Sequence, residues 1–144
     1  EEYISKATGF DGAKKMIEKA KATFSPPTFL ESNLNNWNPS QRFDLIYSME
    51  VLYYLDNPNN FIKQCSLKWL NPGGLFIAGI DHYKENKRSL SWEEDLKVKM
   101  QTKTKNEWKE ILIESGLKDC NIMQVNERED WAGTLIFWGF KNAV

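Results

Sequence analysis

Three short apolar segments of this 144-residue chain run directly into residues able to grip a ligand. "ATGF" ends at Asp11-Gly12, "TFLE" is followed by Asn33, and "FDLIY" leads into Ser48-Met49-Glu50. A carboxylate at a strand end accepts hydrogen bonds from both hydroxyls of a ribose. An Asn amide offers a donor and an acceptor to a purine edge. In open α/β sheets ligands sit beyond the carboxyl ends of the strands, near the point where strand order reverses. Taken one at a time, these residues are better explained as turn formers, since Asp and Asn favour strand exits.

The elements that must position them follow one another as strand and helix. Residues 6–10 read as a strand stopped by Asp11-Gly12. Over 12–23, Ala13, Met16, Ile17 and Ala20 recur at i, i+3, i+4 and i+7, the apolar stripe of a helix covering a sheet. "SPP" at 25–27 ends that helix, because proline lacks a donor and restricts its neighbour. "TFLE" at 28–31 is a second strand. "FDLIYSM" at 43–49 has the near-continuous apolar character of a central strand buried on both faces.

"DNP" at 56–58 places proline at the first position of a helix whose face carries Phe61, Ile62, Cys65 and Trp69. "NPGG" at 71–74 predicts a turn and "LFIAGID" at 75–81 another buried strand. Ser91 with Glu94 and Thr104 with Glu107 both match a capping box. The second opens a helix bearing Trp108, Ile111, Leu112 and Ser115, closed by Gly116. Residues 117–126 and 131–140 read as two strands joined through "EREDW". The alternation predicts a mainly parallel sheet with helices on both faces and a hairpin at one edge.

Composition narrows the function classes. Nineteen basic and twenty acidic side chains give a formal net charge of -1, which leaves no electrostatic footprint for nucleic acid or an anionic membrane. The basic stretch "KENKR" at 84–88 contains an acid and reads as a solvated loop. Two cysteines, Cys65 and Cys120, form no CxxC pair and His82 is the sole histidine. A zinc centre needs about four such ligands, so none is expected, and the thiols fit a reducing, cytoplasmic setting. No signal peptide and no membrane-length apolar run is present. The size is that of one domain.

The order and spacing of "ATGFDGAKKMIEKAK", "FLESNLNNW", "FDLIYSMEVLYYLDNP", "LNPGGLFIAGID" and "NEWKEILIESGL" resemble the class I S-adenosylmethionine-dependent methyltransferases. The resemblance implies an α/β, three-layer Rossmann-like sheet of order 3-2-1-4-5-7-6 with the last strand antiparallel. It implies S-adenosylmethionine as cofactor and direct methyl transfer to a small-molecule amine, carboxylate or hydroxyl. Asp11 would hold the ribose hydroxyls, with Gly12 and Met16 bordering the adenine. Asn33 would stand where the family usually has an Asp, and the Leu34 backbone N–H would meet the ring. Ser48 and Met49 would touch the methionine part of the cofactor. Tyr53, Tyr54 and His82 would face the acceptor, although His82 reads equally as a loop histidine without a role. "MEVLYYLDNP" also has a local likeness to histamine N-methyltransferase.

The family's glycine-rich first motif is the notable departure. Only "EEYIS" precedes the "KATGF" strand, and it resembles the end of the helix that follows that motif. The expectation is therefore a single methyltransferase-like domain over 1–144 that lacks the first strand and its loop. The apolar edges beside the absent strand would be exposed. Two rivals are a non-catalytic binding or regulatory subunit of the same fold and a nicotinamide dehydrogenase; the second lacks GxGxxG.

Overall fold

A computed structural model describes residues 4–143. The chain divides between Asn38 and Pro39 into two compact units. In the first, a short 3-10 turn over Ile4–Lys6 leads to β1 (Thr8–Asp11), α1 (Lys14–Thr23) and β2 (Thr28–Glu31). The helical end expected over "EEYIS" falls largely outside the described residues. Strands β1 and β2 pair in parallel, with Asp11 opposite Glu31. Gly9 is required here: a Cβ would come within 2.8 Å of the Phe29 ring. Helix α1 buries Ile17, while Met16 on the same stripe stays 55% exposed.

The second unit holds a four-stranded sheet of order β3-β4-β6-β5. Strand β3 (Phe43–Met49) runs parallel to β4 (Leu70–Ile80). Strands β5 (Lys118–Val125) and β6 (Thr134–Phe140) form an antiparallel pair, and β6 is antiparallel to β4. The order of this sheet matches the 4-5-7-6 part of the expected order, and the α/β class and antiparallel last strand are as expected. The "NPGG" turn lies inside β4 rather than before it. Phe43 pairs with Leu70 and Leu45 with Leu75, so residues 71–74 loop out of the ladder. Gly73 takes φ +76 there, a conformation that favours glycine.

Helix α2 (Pro58–Gln64) is capped by Asn57, whose side-chain oxygen accepts from Asn60 N at 2.9 Å. It continues as a π-helical turn over Cys65–Trp69. After the short α3 (Trp92–Leu96), α4 (Lys105–Glu114) begins at the Thr104/Glu107 capping box, both halves of which form. Ser91 makes no such cap. Gly116 ends α4 at φ +83.

Helix α4 packs on β5 and β6, and its Trp108, Ile111 and Leu112 are buried, as are Leu135 and Phe137 of β6 and Phe76, Ala78 and Ile80 of β4. The Trp108 and Phe137 rings stack at 5.4 Å. Emptying such a site, as Trp108→Ala does, costs about 3–5 kcal/mol. The opposite face differs from the two-sided burial expected for β3. Leu45, Tyr47 and Met49 are 55%, 61% and 40% exposed, and β3 is the edge strand of this sheet.

Candidate functional site

In the first unit, Asp11 is the last residue of β1, and its Oδ1 accepts from Ala13 N at 2.7 Å. The bond turns the chain into α1, and among the described residues the second carboxylate oxygen has no hydrogen bond. Gly12 is uncrowded: a Cβ there would meet nothing nearer than Ser32 O at 3.8 Å. Past β2, Asn33 builds the same kind of turn, its Oδ1 accepting from Asn35 N at 3.0 Å. Among the described residues its amide nitrogen makes no hydrogen bond. Leu34 is half-buried beside it. Asp11, Gly12, Asn33 and Leu34 thus occupy the exits of two paired parallel strands, and Met16 lies one turn into α1.

In the second unit, the exits of β3 and β4 converge. Ser48 pairs with Ala78 and Met49 with Gly79. The Met49 thioether lies over that glycine: a Cβ on Gly79 would be 2.7 Å from both Met49 Sδ and Cε. Glu50 N then donates to Gly79 O at 2.9 Å, after which the backbone of Glu50 turns to φ +55. Left-handed backbone costs a non-glycine residue about 1 kcal/mol. It sets the Glu50 side chain among groups of the following turn and of the β4 exit.

Tyr53, 2% exposed, donates its hydroxyl to Glu50 Oε2 at 2.7 Å. Glu50 Oε1 is buried with no hydrogen-bond partner, and so is Oδ1 of Asp81, the residue just past β4. Burial, helped by the nearby Asp81 carboxyl, pushes the Glu50 carboxyl up to about 7, against a smaller lowering by the Tyr53 hydroxyl and by the Asp81 backbone amide, which lies near the carboxyl without completing a hydrogen bond to Oε1. Burial and the Glu50 carboxylate together push the Tyr53 phenol up, so it remains a donor.

Around this pair the aromatic rings form a row. Tyr54 lies 4.4 Å from Tyr53, Tyr53 5.4 Å from His82, His82 6.2 Å from Trp92, and Trp92 6.3 Å from Trp131, centroid to centroid. Tyr54 is 42% exposed and the two indoles are half-buried. The row is fixed by hydrogen bonds from distant chain. Gln101 N donates to Tyr53 O at 2.7 Å, and the Tyr83 hydroxyl reaches the Ala132 and Gly133 carbonyls at 2.9 Å, beside Trp131.

His82 sits differently from the acceptor-facing place expected for it. Its side chain is fully buried, Nδ1 donates to Ser89 O at 2.9 Å and Nε2 pairs with the Thr102 hydroxyl at 2.8 Å. With both ring nitrogens engaged, it braces Tyr53 and Trp92 rather than presenting a free nitrogen. Glu50, which directly follows "FDLIYSM", stands out in the sequence with Ser48 and Met49 as a strand-end residue, but sequence reasoning assigns it no task of its own. The signal was an acid directly after an apolar strand; its meaning depends on Asp81, which arrives from β4.

Among the described residues no group of three or more His, Cys, Asp or Glu is placed to hold a metal, and no helix is long and apolar enough to cross a membrane. The family model described as "Methyltransferase domain" matches residues 1–78. Trans-aconitate 2-methyltransferase of Escherichia coli is 31% identical over 97 residues, which are 63% of this chain and 38% of that protein. The chain therefore spans well under half the length of this curated relative. Among solved structures, a methyltransferase from Haloferax volcanii in complex with the Trm112 activator superimposes with TM-score 0.81 at 23% identity, over 94% of this chain and 71% of that one. A methyltransferase from Thermotoga maritima, described as a possible histamine N-methyltransferase, gives 0.76 at 18% identity over 94% and 72%. These two likenesses are likenesses of fold. Because the family model covers more than half of the 144 residues, the chain belongs to the methyltransferase-domain family.

Proposed function

We propose that this chain belongs to an enzyme that transfers a methyl group from S-adenosylmethionine to a small-molecule acceptor. The observation that carries the reading is Asp11. In a chain of this family, it ends a parallel strand with one carboxylate oxygen tied into the α1 turn and the other free. That geometry suits the vicinal hydroxyls of a ribose, which need two acceptor positions on one rigid carboxylate. Asn33, with its amide nitrogen free, suits a ring nitrogen of adenine, and the Leu34 N–H stands next to it. Gly12 and Met16 would border the base. Ser48 and Met49 would meet the methionine end.

The bound cofactor supplies an activated methyl on a sulfonium, so the protein has chiefly to align the acceptor and manage its proton. Tyr53 and Tyr54 line the acceptor side in this reading, with His82 holding Tyr53 in place. The E. coli relative is named for trans-aconitate and the T. maritima neighbour for histamine, so relatives alone leave the acceptor class open.

The test is turnover by the intact polypeptide that carries this chain. S-adenosylhomocysteine release is followed with panels of amines, carboxylates and phenols. Release that depends on one acceptor class supports the proposal. No detectable S-adenosylmethionine binding overturns the proposal and fits the rival, a non-catalytic binding or regulatory subunit that has lost cofactor affinity.

A further inference from the structure

The acid at the β3 exit has the features of a cation receptor. Glu50 Oε1 and Asp81 Oδ1, one from each of two adjacent parallel strands, are both buried and both lack a hydrogen-bond partner. Leaving such an oxygen unpaired is costly, and two carboxyls brought together repel when both are ionised. A single N–H-bearing cation relieves both costs, since an ammonium has donors to spare and neutralises the pair. The rings of Tyr53, Tyr54, Trp92 and Trp131 lead away from this point, and aromatic faces attract an alkylammonium. No lysine or arginine is among the groups acting on Glu50, whose charged neighbour is Asp81. A polycarboxylate acceptor would meet like charge here.

We propose, resting on the methyl-transfer reading, that Glu50 and Asp81 receive the acceptor as an ammonium and that Glu50 takes one of its protons before the nitrogen reacts. In that step an N–H bond of the ammonium breaks and its electron pair stays on nitrogen as the attacking lone pair. The proton forms an O–H bond with Glu50 Oε1. The products are a neutral amine and a neutral carboxylic acid, which later returns its proton to water.

Tyr53 positions the carboxyl through Oε2, leaving Oε1 for the substrate. Burial makes Glu50 a stronger base than an ordinary glutamate and narrows its gap to an alkylamine near 10.4. An ammonium could also come from the cofactor, whose methionine end carries one. The assignment to the acceptor is therefore the point to test.

The experiment is a carboxyl-carbon NMR titration of the intact protein labelled at glutamate, with E50Q identifying the Glu50 resonance. If E50Q does not fold, Y53F identifies it by moving the same resonance to higher pH. The expected midpoint lies near 7. Propylammonium chloride should lower it by about one pH unit, a tenfold change in proton affinity typical of a charge-paired carboxylate. Propanol and propionate should leave it in place. The shift should persist when S-adenosylhomocysteine saturates the protein. No response to propylammonium, or a response that S-adenosylhomocysteine abolishes, overturns the proposal. Calorimetry with S-adenosylhomocysteine judges the methyl-transfer reading separately: its failure leaves the propylammonium result to decide whether Glu50 holds an ammonium.

Discussion

Two carboxylates of this chain stand at the exits of parallel strands, and they are held in opposite ways. Asp11 spends one oxygen on the first turn of its own helix, through Ala13 N at 2.7 Å, and leaves the other free. Glu50 accepts nothing from its own following backbone. It is held by a tyrosine hydroxyl at 2.7 Å, has a buried unpaired oxygen, and has its proton affinity raised by burial and by Asp81. The first arrangement presents a fixed acceptor, suited to binding hydroxyls. The second makes a group that changes protonation near neutrality, suited to moving a proton. The location is shared; the local hydrogen bonding differs.

Exchanging the charge at each place should separate the two tasks. The largest effect is expected from Glu50→Gln: kcat/KM for an amine acceptor should fall about 10²- to 10⁴-fold, the usual worth of a general base. Steady-state kinetics in the intact protein checks this, and the ascending limb of the pH profile near 7 should vanish with it. Asp11→Asn should weaken S-adenosylmethionine about tenfold to hundredfold, since it loses a charged acceptor. Calorimetry reads that loss, and the pH profile for the acceptor should keep its limb. If Asp11→Asn instead moves that limb, the division of labour between the two acids is wrong.

Smaller effects sharpen the Glu50 side of the contrast. Tyr53→Phe removes a hydroxyl that lowers the Glu50 carboxyl, so the ascending limb should move to higher pH, measured as kcat/KM against pH. The smallest effect concerns stability. The folded chain holds the Glu50 proton more tightly than the unfolded chain does, 4.5 rising to about 7. Stability from this group is therefore fully present below the unfolded value and lost as pH rises through that window. Since Glu50 is only partly buried, the loss is discounted to about 1 kcal/mol. Urea unfolding of Glu50→Gln at pH 5 and pH 8 should show that loss gone.

Much of the framework was legible in the sequence because local patterns determine it. The expected bounds of "TFLE" and "FDLIYSM" coincide with β2 and β3, since short apolar runs between turn residues have few alternatives. The Thr104/Glu107 box forms because it needs only residues three apart, and Gly116 takes the left-handed turn that glycine permits. What escaped depends on chain brought from elsewhere. His82 is silenced by Ser89 and by Thr102, 20 residues on, and no pattern around "GIDHY" announces either. The Glu50 environment needs a left-handed residue and Asp81 from the next strand, 31 positions away. The exposed face of β3 escaped for a related reason: an apolar run specifies a strand but not what covers it.

The central claim is that Asp11 marks a cofactor site, and calorimetric titration of the intact protein with S-adenosylmethionine tests it most directly. The account predicts saturable binding at one site that weakens at least about tenfold in Asp11→Asn. Absence of binding, or binding that Asp11→Asn leaves unchanged, would contradict it.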